Sequence, residues 1–172
     1  MLSQADNDLL TQTGSATAMG QYFRRFWQPV ALSRELPAPD GPPIKVTMMG
    51  EELVAFRSTN GQVGLVDAYC PHRAAHLYFG RNEECGLRCV YHGWKFDIDG
   101  NVVEMPNVPA DARMRDQVRI KAYPTREFGE IVWAYLGPAD QPIPEVPQLE
   151  FGLVPASNRY VSKRRNVCNW AQ

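Results

Sequence analysis

Histidine is scarce in this chain of 172 residues, which carries only His72, His76 and His92. The chain also has no large excess of either charge, because 18 basic and 19 acidic residues leave a net charge of -1. This balance excludes an extended nucleic-acid-binding face and a polybasic membrane anchor. The chain also lacks an apolar run of membrane-spanning length, and its polar N-terminus lacks the apolar core of a signal peptide. We therefore expect a soluble, cytoplasmic protein with no nucleic-acid or membrane partner.

Strand signals are frequent, whereas helix signals are few. Short apolar and β-branched runs alternate with turn residues such as Gly50, Gly61 and Asp99-Gly100. This pattern predicts a mainly β fold, built on a small antiparallel β domain. We predict eight strands, at residues 44–49, 53–57, 63–68, 87–91, 94–98, 102–104, 118–123 and 130–136.

Changes in composition predict four segments. Residues 1–26 form an N-terminal extension, and residues 27–137 form the β domain. Residues 138–150 form a Pro-rich linker, after which residues 151–172 begin a second domain. Within this last segment, the charged and partly alternating residues 159–166 are predicted to form a strand.

Cysteine and histidine occur in two half-sites, C-x-H at Cys70 and His72 and C-x-x-H at Cys89 and His92. In a chain without a signal peptide, this pattern favours metal over disulfide. Four such ligands suit either tetrahedral zinc or a [2Fe–2S] cluster. Zinc fingers group like ligands in their short pairs, whereas each pair here mixes Cys with His. A binuclear cluster explains the mixed pairs, because each loop sends one ligand to each iron; structural zinc is the alternative.

The segment at 70–100, CPHRAAHLYFGRNEECGLRCVYHGWKFDIDG, resembles the signature of Rieske [2Fe–2S] domains. With its flanking strands the resemblance covers about residues 27–137. It implies a Rieske-type β domain with two cluster-binding loops, in which Cys70 and Cys89 bind the inner iron and His72 and His92 the solvent-facing one. It implies no catalytic residue in this chain.

Further positions resemble one branch of the family. Respiratory-complex members link the two loops by a disulfide, but the two places hold Ala75 and Tyr91 here. Those members also carry a hydroxyl-bearing residue after the last His-Gly, and Trp94 stands at that place here. Fewer hydrogen bonds to the cluster sulfurs imply a lower reduction potential, of the oxygenase or ferredoxin type. YHGWKFDIDG resembles oxygenase α-subunits, and GRNEE at 80–84 resembles the phthalate dioxygenase and O-demethylase branch. Residues 169–172 resemble the opening of the oxygenase catalytic domain, so we interpret 151–172 as the truncated start of that α+β domain.

The resemblance implies an electron-transfer domain of an aromatic-ring-hydroxylating or O-demethylating oxygenase. Electrons would come from a flavin/iron–sulfur reductase that uses NAD(P)H. They would reach a mononuclear Fe(II) outside this chain, in a homotrimer that acts on an aromatic acid with O2. Because the cluster uses two of the three histidines, His76 alone cannot complete a 2-His-1-carboxylate site. We therefore expect this chain alone to be catalytically incomplete; the alternative is a stand-alone Rieske ferredoxin.

The remaining notable residues are interpreted structurally. Trp94 and Tyr91 are expected to shield the cluster from water. Others include a free thiol at Cys85, a buried Cys168, a loop or surface histidine at His76, and a solvated loop at Glu83-Glu84.

Overall fold

The computed structural model describes residues 2–109 and 114–171. It does not describe Met1, residues 110–113 or Gln172. The first residue of the predicted segment 1–26, and the last residue of both the segment 151–172 and the 169–172 motif, therefore lie outside the described residues. Eleven strands cover the described residues: β1 (Trp27–Leu32), β2 (Ile44–Met48), β3 (Glu51–Arg57), β4 (Val63–Asp67), β5 (Arg81–Glu83), β6 (Gly86–Arg88), β7 (Lys95–Phe96), β8 (Val102–Glu104), β9 (Ala122–Tyr123), β10 (Thr125–Phe128) and β11 (Ile131–Tyr135).

The helices are short and lie outside the sheets. They are α1 (Gln4–Thr11), α2 (Ala18–Phe23), α3 (Met114–Gln117) and α4 (Glu150–Leu153), with 3-10 turns at Ser33–Glu35, Leu77–Phe79 and Ala156–Asn158. Both longer helices fall in the N-terminal extension. Within the described ranges, no helix is both long and apolar enough to cross a membrane.

Three antiparallel sheets are formed, with strand orders β1-β11-β10, β2-β3-β4-β9 and β5-β6-β7-β8. The mainly β prediction is confirmed. The hairpin between β2 and β3 pairs Met48 with Glu51, which leaves Met49 and Gly50 as a two-residue loop. Both loop residues have positive φ, at 48° and 79°, as a type I′ turn requires.

Strand β3 is buried on both faces and separates two cores. Leu53 and Ala55 pack into the core shared with β1 and β11. Val54 and Phe56 point the opposite way, into a second core that contains both half-site cysteines. Because side chains alternate along a strand, one apolar run can serve both cores.

Three strands were missed by the sequence prediction, each lacking a clear alternating pattern. β1 contains Pro29 at a bulge and lies at a sheet edge, where a proline is tolerated. β10 is polar except for its last residue. β5 is Arg-Asn-Glu, so the prediction that Glu83 belongs to a solvated loop was wrong for that residue.

The C-terminal segment corrects two further predictions. Residues 159–166 form no strand, because an alternating pattern does not supply a partner edge. Ion pairs hold this segment instead, from Arg159 to Glu130 at 3.1 Å and from Lys163 to Glu35 at 2.5 Å. Cys168 was expected to be buried but is exposed.

Candidate metal centre

The two half-sites lie on loops with the same backbone hydrogen bonds. The first follows β4, where the Cys70 N–H donates to the Ala75 carbonyl (2.9 Å) and the Ala74 N–H donates to the Cys70 carbonyl (2.8 Å). In the second, which follows β6, the Cys89 N–H donates to the Trp94 carbonyl (2.8 Å) and the Gly93 N–H to the Cys89 carbonyl (3.1 Å).

A left-handed residue closes each loop at the same place. Ala74 has φ 53° and Gly93 has φ 73°, and each lies four residues after its cysteine. Glycine adopts this conformation without steric cost, whereas the Cβ of alanine makes the same conformation unfavourable. The sequence pattern did not reveal this shared turn, because the spacing from Cys to His differs between the two half-sites.

The two loops bring all four predicted ligands to one cavity. Cys70, His72, Cys89 and His92 all line one small cavity between the loops. The cysteines are 2% and 3% exposed, and the histidines are half-buried with ring centroids 4.5 Å apart. The sulfur donors therefore lie inside and the nitrogen donors lie towards the surface.

Burial sets the protonation of the free ligands. It raises the pKa of the Cys70 thiol to about 11, and the neighbouring Cys89 acts in the same direction. The backbone N–H groups of His72 and Arg73 act against this rise, because they donate to the Cys70 sulfur. Burial and the neighbouring His92 lower the pKa of His72, which keeps its imidazole neutral and available as a donor. Metal binding at these groups would displace thiol protons.

The donor set suits a binuclear centre better than zinc. Tetrahedral zinc requires four donors at one ion. Two thiols deep in the cavity and two imidazoles at its mouth instead match a pair of irons with two ligands each.

Trp94 covers one side of the cavity. Its ring is stacked on His72, with centroids 4.5 Å apart and planes 6° apart. The indole Nε1–H donates to Asn107 Oδ1 at 2.6 Å. Sequence reasoning missed Asn107, because nothing in the local pattern links it to Trp94. Tyr91, the other expected shield, is exposed, although its ring lies 3.9 Å from that of His92.

His76 and Cys85 lie outside the cavity lining. His76 is half-buried, and its Nδ1 accepts a hydrogen bond from the Tyr78 N–H at 3.2 Å. Cys85 is exposed and forms no disulfide. Neither residue adds a donor to the four.

The family model of the Rieske [2Fe-2S] domain matches residues 26–124, which include both loops and the strands around them. The chain belongs to this family. The chain is 50% identical over 175 residues to the phthalate 4,5-dioxygenase oxygenase subunit of Pseudomonas putida, with 100% of this chain and 39% of that relative covered. It is 41% identical to the 5,5'-dehydrodivanillate O-demethylase oxygenase subunit of a Sphingobium species, with 100% and 40% covered.

Solved structures share the Rieske fold. The reduced complex between oxygenase and ferredoxin in carbazole 1,9a-dioxygenase matches with a TM-score of 0.59 at 28% identity, covering 70% of this chain and 30% of that one. The chain thus spans about two fifths of the length of the curated relatives described above. The two relatives described above are oxygenase subunits, and the expected resemblance to the phthalate dioxygenase and O-demethylase branch is confirmed.

Proposed function

We propose that Cys70, His72, Cys89 and His92 hold a Rieske-type [2Fe–2S] cluster, with both thiolates on an inner iron and both imidazoles on an outer one. The observation that carries this proposal is the convergence of the four side chains on one cavity, with sulfur inside and nitrogen at the mouth. The backbone N–H groups of His72 and Arg73 favour the thiolate form of Cys70. When bound, such a cluster supplies reversible one-electron transfer.

The surroundings of the four ligands leave the site open to an electron-transfer partner on one side and exclude water from it on the others. The half-buried rings of His72 and His92 give an electron-transfer partner a short approach at the mouth of the cavity. The ring of Trp94 closes the side against His72. The apolar core around Cys70 and Cys89 closes the inner side, and such a shell tunes the potential of a metal centre.

We further propose that this domain serves a Rieske oxygenase longer than these 172 residues. It would accept electrons from a flavin/iron–sulfur reductase or a ferredoxin and pass them to a mononuclear iron held elsewhere. Relatives named as oxygenase subunits match the whole chain, and one solved oxygenase was captured with a ferredoxin. A trimer, an aromatic acid substrate, and the use of O2 and NAD(P)H belong to this same proposal, as does the division into segments 1–26, 27–137, 138–150 and 151–172.

A stopped-flow experiment tests the relay. The anaerobically loaded chain is mixed with a reduced flavin/iron–sulfur reductase, and we expect the visible absorbance of the cluster to bleach at a rate that rises with reductase concentration. Cys85→Ser should behave like the unchanged protein, because Cys85 lies outside the cavity. Bleaching by dithionite but never by any such reductase or by a reduced ferredoxin would contradict the relay and leave the cluster assignment standing.

A further inference from the structure

Arg88 lies directly before Cys89, at the end of β6, and its guanidinium contacts three groups. Its Nε contacts the Glu83 carboxylate, its Nη2 lies 2.7 Å from Glu104 Oε2, and its Nη1 donates to the Gly93 carbonyl at 2.9 Å. The side chain is 15% exposed. A guanidinium presents its N–H groups in a rigid planar fork, so three partners fix its orientation as well as its charge.

The two carboxylates belong to the two outer strands of the same sheet. Glu83 ends β5 and Glu104 ends β8, so the guanidinium ties β6 to both outer strands. The β6–β7 register places Arg88 directly opposite Lys95. Two like charges at that spacing are unfavourable, but Glu104 contacts both cations and compensates them.

Stability alone does not explain this partly buried network. Burying charges costs desolvation free energy, and apolar residues of similar volume often stabilise a fold as well or better. What an apolar residue cannot do is donate a directed hydrogen bond to a loop carbonyl. The feature that needs explanation is therefore the bond from Arg88 to Gly93.

Gly93 occupies the critical place in the second loop. It follows His92, adopts φ 73°, and its N–H donates back to the Cys89 carbonyl. Its carbonyl is the atom that Arg88 holds. A restraint on this carbonyl fixes the Gly93–Trp94 peptide, one residue beyond His92, and so limits how far the loop that carries the His92 imidazole can move relative to Cys89.

We propose that Arg88 is a positioning residue, which holds the second ligand loop through the Gly93 carbonyl and so orients His92 towards the outer metal of the cavity. This inference rests on the proposed cluster site. Glu83 and Glu104 fix the guanidinium of Arg88. The groups that position the loop therefore lie on strands of the sheet and not in the loop itself.

The experiment compares Arg88→Gln and Arg88→Lys with two matched controls. Arg81→Gln removes an arginine paired across the strands with Arg88 that also contacts Glu83, but it is 71% exposed. Arg57→Gln removes another largely buried arginine, paired with Glu127 at 2.7 Å and bonded to the Gly61 carbonyl, away from the loop. Each loaded variant is measured by hydrogen exchange of residues 89–94, by the electron paramagnetic resonance spectrum and midpoint potential of the reduced protein, and by thermal unfolding.

We expect Arg88→Gln to speed exchange in the loop by about tenfold, the ratio typical for loss of a charge-assisted hydrogen bond. Its resonance lines and potential should shift, with Arg88→Lys intermediate because an ammonium cannot reach all three partners. Arg81→Gln should match the unchanged protein. Arg57→Gln should melt earlier while keeping the loop exchange, spectrum and potential unchanged.

Unchanged exchange and an unchanged spectrum in Arg88→Gln would overturn the inference. An equal spectral shift in Arg57→Gln would overturn it too, because general destabilisation would then suffice. If Arg88→Gln does not fold, Arg88→Lys supplies the comparison by the same criteria. Failure of the unchanged protein to bind any cluster would refute the proposed function instead. The loop exchange rates of the Arg88 variants would then still test whether Arg88 restrains the loop through the Gly93 carbonyl.

Discussion

Trp94 has two separable contacts, and substitutions can distinguish their contributions. Trp94→Phe keeps an aromatic face against His72 but loses the indole bond to Asn107. Asn107 is exposed, so its freed Oδ1 returns to water and the cost is about 0.5–1.5 kcal/mol. Asn107→Ala removes the acceptor instead. Because Trp94 is 6% exposed, the indole N–H is left poorly solvated, and the cost rises to about 1–3 kcal/mol.

Removing the whole ring is far more costly. Trp94→Ala takes a large aromatic side chain out of a core that also contains Cys70 and Cys89, at about 3–5 kcal/mol. For a chain of this length, each kcal/mol lowers the melting temperature by about 2–4 °C. We therefore expect shifts of roughly 1–6 °C for Trp94→Phe and roughly 6–20 °C for Trp94→Ala, with Asn107→Ala between them.

Thermal unfolding followed by circular dichroism at matched cluster loading provides the assay. The double variant Trp94→Phe with Asn107→Ala should be clearly less destabilised than the sum of the single variants, because both singles remove the same bond. Strict additivity, or an Asn107→Ala variant as stable as the unchanged protein, would refute the reasoning about this bond.

Three further predictions follow from the loops and their surroundings. Cys70→Ser or His92→Ala should abolish cluster assembly and loosen both loops, as measured by iron content and hydrogen exchange, because ligand binding is part of the folding free energy. Ala74→Gly should raise the free energy of unfolding by up to about 1 kcal/mol in denaturant titration, because it relieves a φ of 53°. Glu51→Gln should destabilise the fold by about 2–4 kcal/mol at neutral pH, because it leaves the largely buried Arg24 without its counter-charge.

The Glu51 prediction also has a pH dependence. Burial would raise the pKa of Glu51, but hydrogen bonds from Lys121 and Tyr123 and the charge of Arg24 outweigh it and lower the pKa. A lowered folded-state pKa gives stability that is complete above the ordinary value near 4.5 and is lost as pH falls through the folded-state value. The gap between the unchanged protein and Glu51→Gln should therefore shrink in acid. A constant gap from pH 7 to pH 3 would contradict this cause.

Controls separate these effects from general damage. Cys85→Ser should retain full iron content, because Cys85 is exposed and outside the cavity. Glu52→Gln alters the neighbouring exposed carboxylate, which contacts the Tyr69 hydroxyl, and should cost much less than Glu51→Gln. Full iron content in either ligand variant would show the ligand assignment to be wrong.

Local patterns predicted the candidate ligands, because their chemistry is written in two short half-sites. Cys70, His72, Cys89 and His92 lie close in sequence to the strands and turns that bring them together. The strongest strands were predictable for a similar reason, since the apolar runs at β3 and β4 and the turn residues between them are local signals that act over a few residues. Element ends were less accurate, and the predicted strand at 118–123 shrank to Ala122–Tyr123.

The remaining features depend on partners distant in sequence. Nothing near Asn107 indicates that it accepts a hydrogen bond from Trp94. The role of Arg88 depends on Glu104, sixteen residues away, and on the pairing of a polar strand that carries no alternating pattern. The exposure of Cys168 depends on whether other parts of the chain pack against its segment, and residues 162–171 are all exposed. Tertiary contacts of this kind override local propensity and cannot be deduced from one sequence.

The most direct test of the account is the metal content and spectrum of anaerobically prepared protein. We predict about two irons and two acid-labile sulfides per chain, a red-brown colour, and a rhombic electron paramagnetic resonance signal after reduction with dithionite. A colourless protein with stoichiometric zinc, or one with neither iron nor labile sulfide, would contradict it.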